Sequence, residues 1–113
     1  MILSEALQLI GEARRIDSEM PLPQLHCLLI LGTEEDGMSL TELAKRAEIQ
    51  LATASRYVSA LGKVNRHREE GLKLIESFED PMERRKKIIR LTTRGKKLIH
   101  KMLGDENANL QAR

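Results

Sequence analysis

The sequence predicts a mainly α fold with one small β-hairpin, an α+β class, and three observations carry that expectation. Apolar residues recur at helical spacing through most of the chain. One stretch near residues 72–91 differs, with two short apolar runs around a proline-containing turn. Hydrophobic residues make up 41% but aromatics only 2%, and 32% are charged. Leu, Ile, Val, Ala and Met must then fill the core, which suits small helical packing better than a β-sandwich. At 113 residues the chain has room for a single core and one domain.

Leu3, Ala6, Leu7, Ile10, Ala13 and Ile16 alternate with Ser4, Glu5, Gln8, Glu12 and Arg15, predicting an amphipathic helix over 4–16. Pro21 and Pro23 end it, and each suits the first turn of the next element. Residues 24–31 are apolar nearly all round and predict a buried central helix, stopped by Gly32. Cys27 is the only cysteine and sits inside that run. It reads as a small buried hydrophobe, consistent with a reducing compartment. An acidic loop over 33–38 carries the turn signal Gly37.

Ser39 and Glu42 form an S-x-x-E capping box, each side chain satisfying an end amide of the other. Leu40, Leu43, Ala44 and Ala47 point inward, and 47–50 make a turn. A helix follows over about 51–63 with Ala54, Val58 and Leu61 inward. Its other side carries Gln50, Thr53, Ser55, Arg56 and Ser59, small or polar groups able to approach base edges. A polar loop spans 64–71, then strands over 72–78 and 86–91 flank a turn at 79–85. Thr92 or Thr93 can cap a last helix over 94–103, with Leu98, Ile99, Met102 and Leu103 apolar, before a polar tail. The elements compose a winged helix-turn-helix: an N-terminal helix (1–20), the helix-turn-helix with its wing (21–93), and a C-terminal helix with its tail (94–113).

Charge is unevenly placed. Residues 1–62 hold five Lys and Arg against nine Asp and Glu, a net of −4. Residues 63–103 hold thirteen against six, a net of +7, and the tail holds one against two. A basic stretch on a near-neutral chain reads as a directed electrostatic footprint, or more plainly as a solvated charged face. The scarcity of aromatics argues against single-strand binding by base stacking. His26, His67 and His100 lack metal-ligand spacing. His26 and Cys27 are neighbours on one helix and point about 100° apart, so they cannot form a dyad. No Gly-rich phosphate loop is present. The reading is therefore no enzyme, no cofactor and no metal. The absence of a signal peptide and of a long apolar run makes a cytoplasmic protein with no membrane partner the expectation.

The order Leu43-Ala44, Ser55-Arg56, Leu61, Asp80-Pro81-x-Glu83-x-Arg85 and Leu91-Thr92-x-x-Gly95 resembles the MarR family of winged-helix regulators. The resemblance runs from about residue 21 to 103. It implies a DNA-binding transcriptional regulator, a repressor in the first instance, acting on double-stranded DNA in a bacterial cell. Three departures stand out: a curtailed C-terminal helical region, a longer link over 63–74 carrying Arg66, His67 and Arg68, and Gln50-Leu51 opening the recognition helix. Some phage-encoded relatives share the longer link, which raises a phage origin and a phage-infected host.

The site expectation has four parts. Gln50, Thr53, Ser55, Arg56 and Ser59 face the major groove. Arg56 pairs with guanine O6/N7, or instead with a phosphate or a nearby Glu. Arg84, Arg85, Lys86 and Lys87 form the wing, and strand alternation splits them between two faces. The resemblance assigns Arg85 to the minor groove and Glu83 to orienting it. Ser39 and Thr41 can hold a phosphate at a helix N-terminus, although capping alone explains them. Arg66, His67 and Arg68 are possible loop contacts. The apolar stripes of the first and last helices suggest a homodimer, or else close the monomer core. No effector pocket is recognisable. The competing function is a winged helix used for protein–protein contact, an adaptor or inhibitor of the transcription machinery, which would show an exposed apolar patch beside the wing.

Overall fold

The computed structural model describes residues 2–63 and 70–104. Helix α1 (Leu3–Ile16) opens with the Glu5 carboxylate accepting the Ile2 N–H at 2.8 Å. It closes on Arg14 and Arg15, cations placed favourably at the negative end of the helix dipole. Helix α2 (Leu22–Leu31) begins after Pro21, holds Pro23 in its first turn and ends at Gly32. Strand β1 (Met38–Ser39) was not expected from the sequence. Helices α3 (Leu40–Ala47) and α4 (Leu51–Leu61) follow, then strands β2 (Ile75–Glu79) and β3 (Lys87–Leu91), and helix α5 (Thr93–Leu103). The class is α+β, as the sequence predicts.

The sheet is antiparallel with order β1-β3-β2. Met38 pairs with Ile89 and Ser39 with Ile88, so β3 is the central strand. Gly37 makes this pairing possible: its φ is +86, and a Cβ there would lie 2.4 Å from the Ile89 carbonyl oxygen. Strand β2 begins later than expected. The amides of Leu72, Lys73 and Leu74 turn away from the sheet and donate to the carbonyls of Ala60, Gly62 and Leu61 at 3.1, 2.8 and 2.8 Å. Lys73 sits in the left-handed region at φ 60, which breaks the extended run. The same bonds tie the approach to the wing onto the end of α4, which stops at Leu61 because Gly62 is extended at φ −90 and ψ −155.

Leu28 and Leu31 of α2, Leu43 of α3, Leu61 of α4, Leu74 just ahead of β2 and Met102 of α5 are fully buried with Cys27. Helix α2 is therefore central, packed against α3 and α4. Helix α5 lies on α1, where Gln8 Nε2 donates to the Lys101 carbonyl at 3.0 Å. The stripe Leu98, Ile99 and Met102 closes the monomer core, whereas Leu3 and Leu7 of α1 remain 78% and 65% exposed.

The junction between β3 and α5 is tightly specified. The Thr92 hydroxyl accepts the Gly95 N–H at 3.0 Å and donates to the Lys73 carbonyl at 2.8 Å. The Thr92 N–H donates to the Leu74 carbonyl at 3.0 Å. Gly95 is where that carbonyl approaches the helix: an added Cβ would meet it at 2.1 Å. The L-T-x-x-G pattern is thus a packing requirement.

Candidate nucleic-acid interface

Two helices and a hairpin build the candidate surface. Ser39 Oγ accepts the Glu42 N–H at 3.1 Å, so the cap at the start of α3 forms. Only half of the expected box is present. Glu42 instead accepts from Arg46 Nε at 2.8 Å, the neighbour one turn on, and Arg46 also reaches Glu34 at 3.4 Å. The hydrogen bond from Arg46 holds the Glu42 carboxyl below its ordinary range, and Glu42 in turn raises the guanidinium. Thr41 is exposed on the same first turn.

The chain turns from α3 into α4 through Glu48, left-handed at φ 57 and ψ 44. The Glu48 and Ile49 amides donate to the carbonyls of Lys45 and Ala44 at 3.2 and 3.1 Å, closing the helix end. Gln50 then caps α4 without a side-chain hydrogen bond. Ala54 and Leu61 of α4 are buried, Val58 half-buried. Helical periodicity puts Ala52, Ser55, Arg56 and Ser59 on the opposite face. Ser55 and Arg56 are exposed, Ser59 half-buried, and Gln50 exposed at the leading end. Thr53 is half-buried on the flank of that face. Ala52 and Leu51, both exposed, belong to the surface too. Sequence reading passed over Ala52 because a methyl carries no chemistry of its own, although a small residue lets a helix approach closely. No Glu partners Arg56 among the described residues; its guanidinium carbon lies 5.9 Å from the Tyr57 ring centroid.

The wing turn runs from residue 80 to 86, one residue later than expected. Asp80 and Lys86 close it, with the Asp80 N–H donating to the Lys86 carbonyl at 2.9 Å. Arg84, Arg85 and Lys86 therefore lie in the turn, and only Lys87 is in a strand. Strand alternation does not sort these four cations, which corrects the expected division into two faces. Glu83 also departs from its expected role: its carboxylate lies 3.6 Å from Lys86 Nζ, three residues on, within reach of a turn. Among the described residues Arg84, Arg85 and Lys87 are exposed and form no ion pair. Arg66, His67 and Arg68 lie outside the described residues.

A cleft of about 640 Å³ separates α4 from the wing, bordered by Ser59 and Lys63 on one side and Lys73 and Ser77 on the other. The outer sheet face carries a contact the sequence reading missed. Arg90 donates to Glu76 at 2.8 Å and lies 4.4 Å over the Phe78 ring. Glu76 and Arg90 are direct cross-strand partners, legible only once the register is known. Elsewhere, burial pushes the Cys27 thiol up, and His26 beside it is exposed. Among the described residues no cluster could hold a metal ion, and no helix is long and apolar enough to cross a membrane.

Residues 19–63 match the family model described as the IclR helix-turn-helix domain. No curated protein sequence matches the chain. Among solved structures, the chain is similar to RV1404 from Mycobacterium tuberculosis at 22% identity and a TM-score of 0.69, covering 95% of this chain and 65% of that one. The S. aureus MepR–DNA complex aligns at 25% identity and 0.68, covering 96% and 81%. PcaV from Streptomyces coelicolor, in complex with its natural ligand, aligns at 26% and 0.63, covering 96% and 70%. The chain thus spans a little under two thirds to about four fifths of these proteins. The helix-turn-helix match names one family, whereas MepR and PcaV are MarR-like regulators. What the likenesses share is the fold: this chain is an α+β winged helix-turn-helix protein.

Proposed function

We propose that this chain is a sequence-specific regulator of transcription that binds double-stranded DNA, a MarR-type repressor. Helix α4 enters the major groove and the wing lies on the backbone or minor groove. One observation carries the reading: the exposed face of α4 is small and polar, and the adjoining wing presents Arg84, Arg85 and Lys87 with no internal partner among the described residues. A helix so slim and polar fits a groove about 12 Å wide, and free cations suit phosphate neutralisation. Arg56, with no acidic partner among the described residues and with Ser55 and Ser59 beside it, reads a base edge; Gln50 and Thr53 sit at the margins. Ser39 and Thr41 approach a phosphate at the α3 N-terminus. These roles lie in one domain, and its site of action is the cytoplasm.

The complex is a homodimer. The exposed Leu3, Leu7 and Ile10 on α1 follow one helical stripe left over after the monomer core has closed. A twofold pair would read half-sites about 10 bp apart or a multiple of that. A protein-docking version of this surface would carry a continuous apolar patch on α4, and Leu51 is the lone large apolar residue exposed on that helix. The test is selection of bound sequences from a random duplex pool. Enrichment of one pseudo-palindromic site is the expected result; recovery of an unenriched pool removes sequence-specific recognition.

A further inference from the structure

Met82 is 92% exposed, more so than any other large apolar side chain among the described residues. Single exposed apolar residues are ordinary on a protein surface, but this one stands at the apex of the wing. The apex is rigidly built. Pro81 fixes its own φ. Asp80 Oδ1 accepts the Met82 N–H at 2.8 Å, and the Asp80 carbonyl accepts the Glu83 N–H at 3.2 Å. The Lys86 N–H donates to the Glu83 carbonyl at 2.9 Å. All five of the next residues are charged: Glu83, Arg84, Arg85, Lys86 and Lys87. The turn therefore holds one flexible, polarisable thioether outward in a surround of charge.

Resting on the DNA-binding reading, we propose that Met82 is a wedge that enters the minor groove and partly unstacks the base step beneath the wing. Arg84 and Arg85, which form no ion pair among the described residues, engage the phosphates on either side. The apolar tip then leaves water for the groove floor, and its insertion kinks the duplex. Such insertion costs least at pyrimidine–purine steps, which unstack easily. Met82 thereby selects sequence at a position where it makes no hydrogen bond. Unbranched methionine suits this role because its side chain adapts to an irregular slot.

The experiment uses the full chain and a duplex recovered from the random pool, with 2-aminopurine placed at the step under the wing. Binding of the parent chain raises the 2-aminopurine emission. Met82→Ala keeps the fold by circular dichroism and the salt slope, loses that rise, and weakens binding about tenfold, the low end of what burying one methionine contributes. Met82→Leu restores both. Met82→Ala that binds equally well with the same emission overturns the wedge while leaving the DNA reading intact. A parent chain that binds no duplex at all overturns the DNA reading, and the wedge with it.

Discussion

Substituting Gly95 by alanine separates a local preference from a tertiary requirement. Gly95 lies inside α5, where alanine is intrinsically better by about 1 kcal/mol. The tertiary environment points the other way. An added methyl would stand 2.1 Å from the Leu74 carbonyl oxygen, a backbone atom that cannot swing aside. That carbonyl also accepts the Thr92 N–H at 3.0 Å. Forcing α5 outward costs about 1–3 kcal/mol of overpacking, and weakening the Thr92 bond adds about 1 kcal/mol. Helix propensity offsets about 1 kcal/mol, so the net loss is about 2 kcal/mol. For a domain of this size that lowers Tm by about 8 °C. Urea titration and thermal melts followed by circular dichroism measure both quantities. A Gly95→Ala chain more stable than the parent would refute the packing account of the L-T-x-x-G junction.

Glu48→Gly relieves a left-handed backbone at the helix-turn-helix corner and raises stability by about 0.5–1 kcal/mol; chemical denaturation checks it. Arg85→Ala weakens binding to all duplexes and reduces the salt slope by about 1, whereas Arg56→Ala changes the selected-site profile; an unchanged profile removes Arg56 from base reading. Because Arg46 holds the Glu42 carboxyl below its ordinary range, this pair contributes stability at neutral pH that is lost as pH falls through the lowered value. The difference in Tm between the parent and Arg46→Ala should shrink on acidification, and a constant difference would count against the pairing. Leu7→Glu on the exposed α1 stripe shifts sedimentation to the monomer with helicity retained; an unchanged dimer places the interface elsewhere.

The elements most legible in the sequence were those set by local chemistry. Ser39 and Thr92 announce their helices because a hydroxyl three residues from an amide is a short-range device. Gly32 and the two prolines bound α2 for similar reasons. What escaped is non-local. Strand β1 is two residues long, and its pairing with Ile88 and Ile89 has no periodic signature. Leu72–Leu74 have the apolar character of a strand, yet their amides go to the end of α4. Glu42 faced a choice between the Ser39 amide and Arg46; the E-x-x-x-R spacing was the readable clue. In the candidate site, the exposure of Ser55 and Arg56 followed from helical period. The partners of the wing charges did not, because turn boundaries decide whether strand alternation applies.

With α4 in the groove, the cations of the adjoining wing neutralise the phosphates of a duplex. The most direct measurement of this is duplex affinity as a function of salt, by fluorescence anisotropy. The expected result is a straight log–log line with a slope of about −0.9 for each phosphate neutralised, so several units steep. A flat line, or no duplex binding even at low salt, would contradict it.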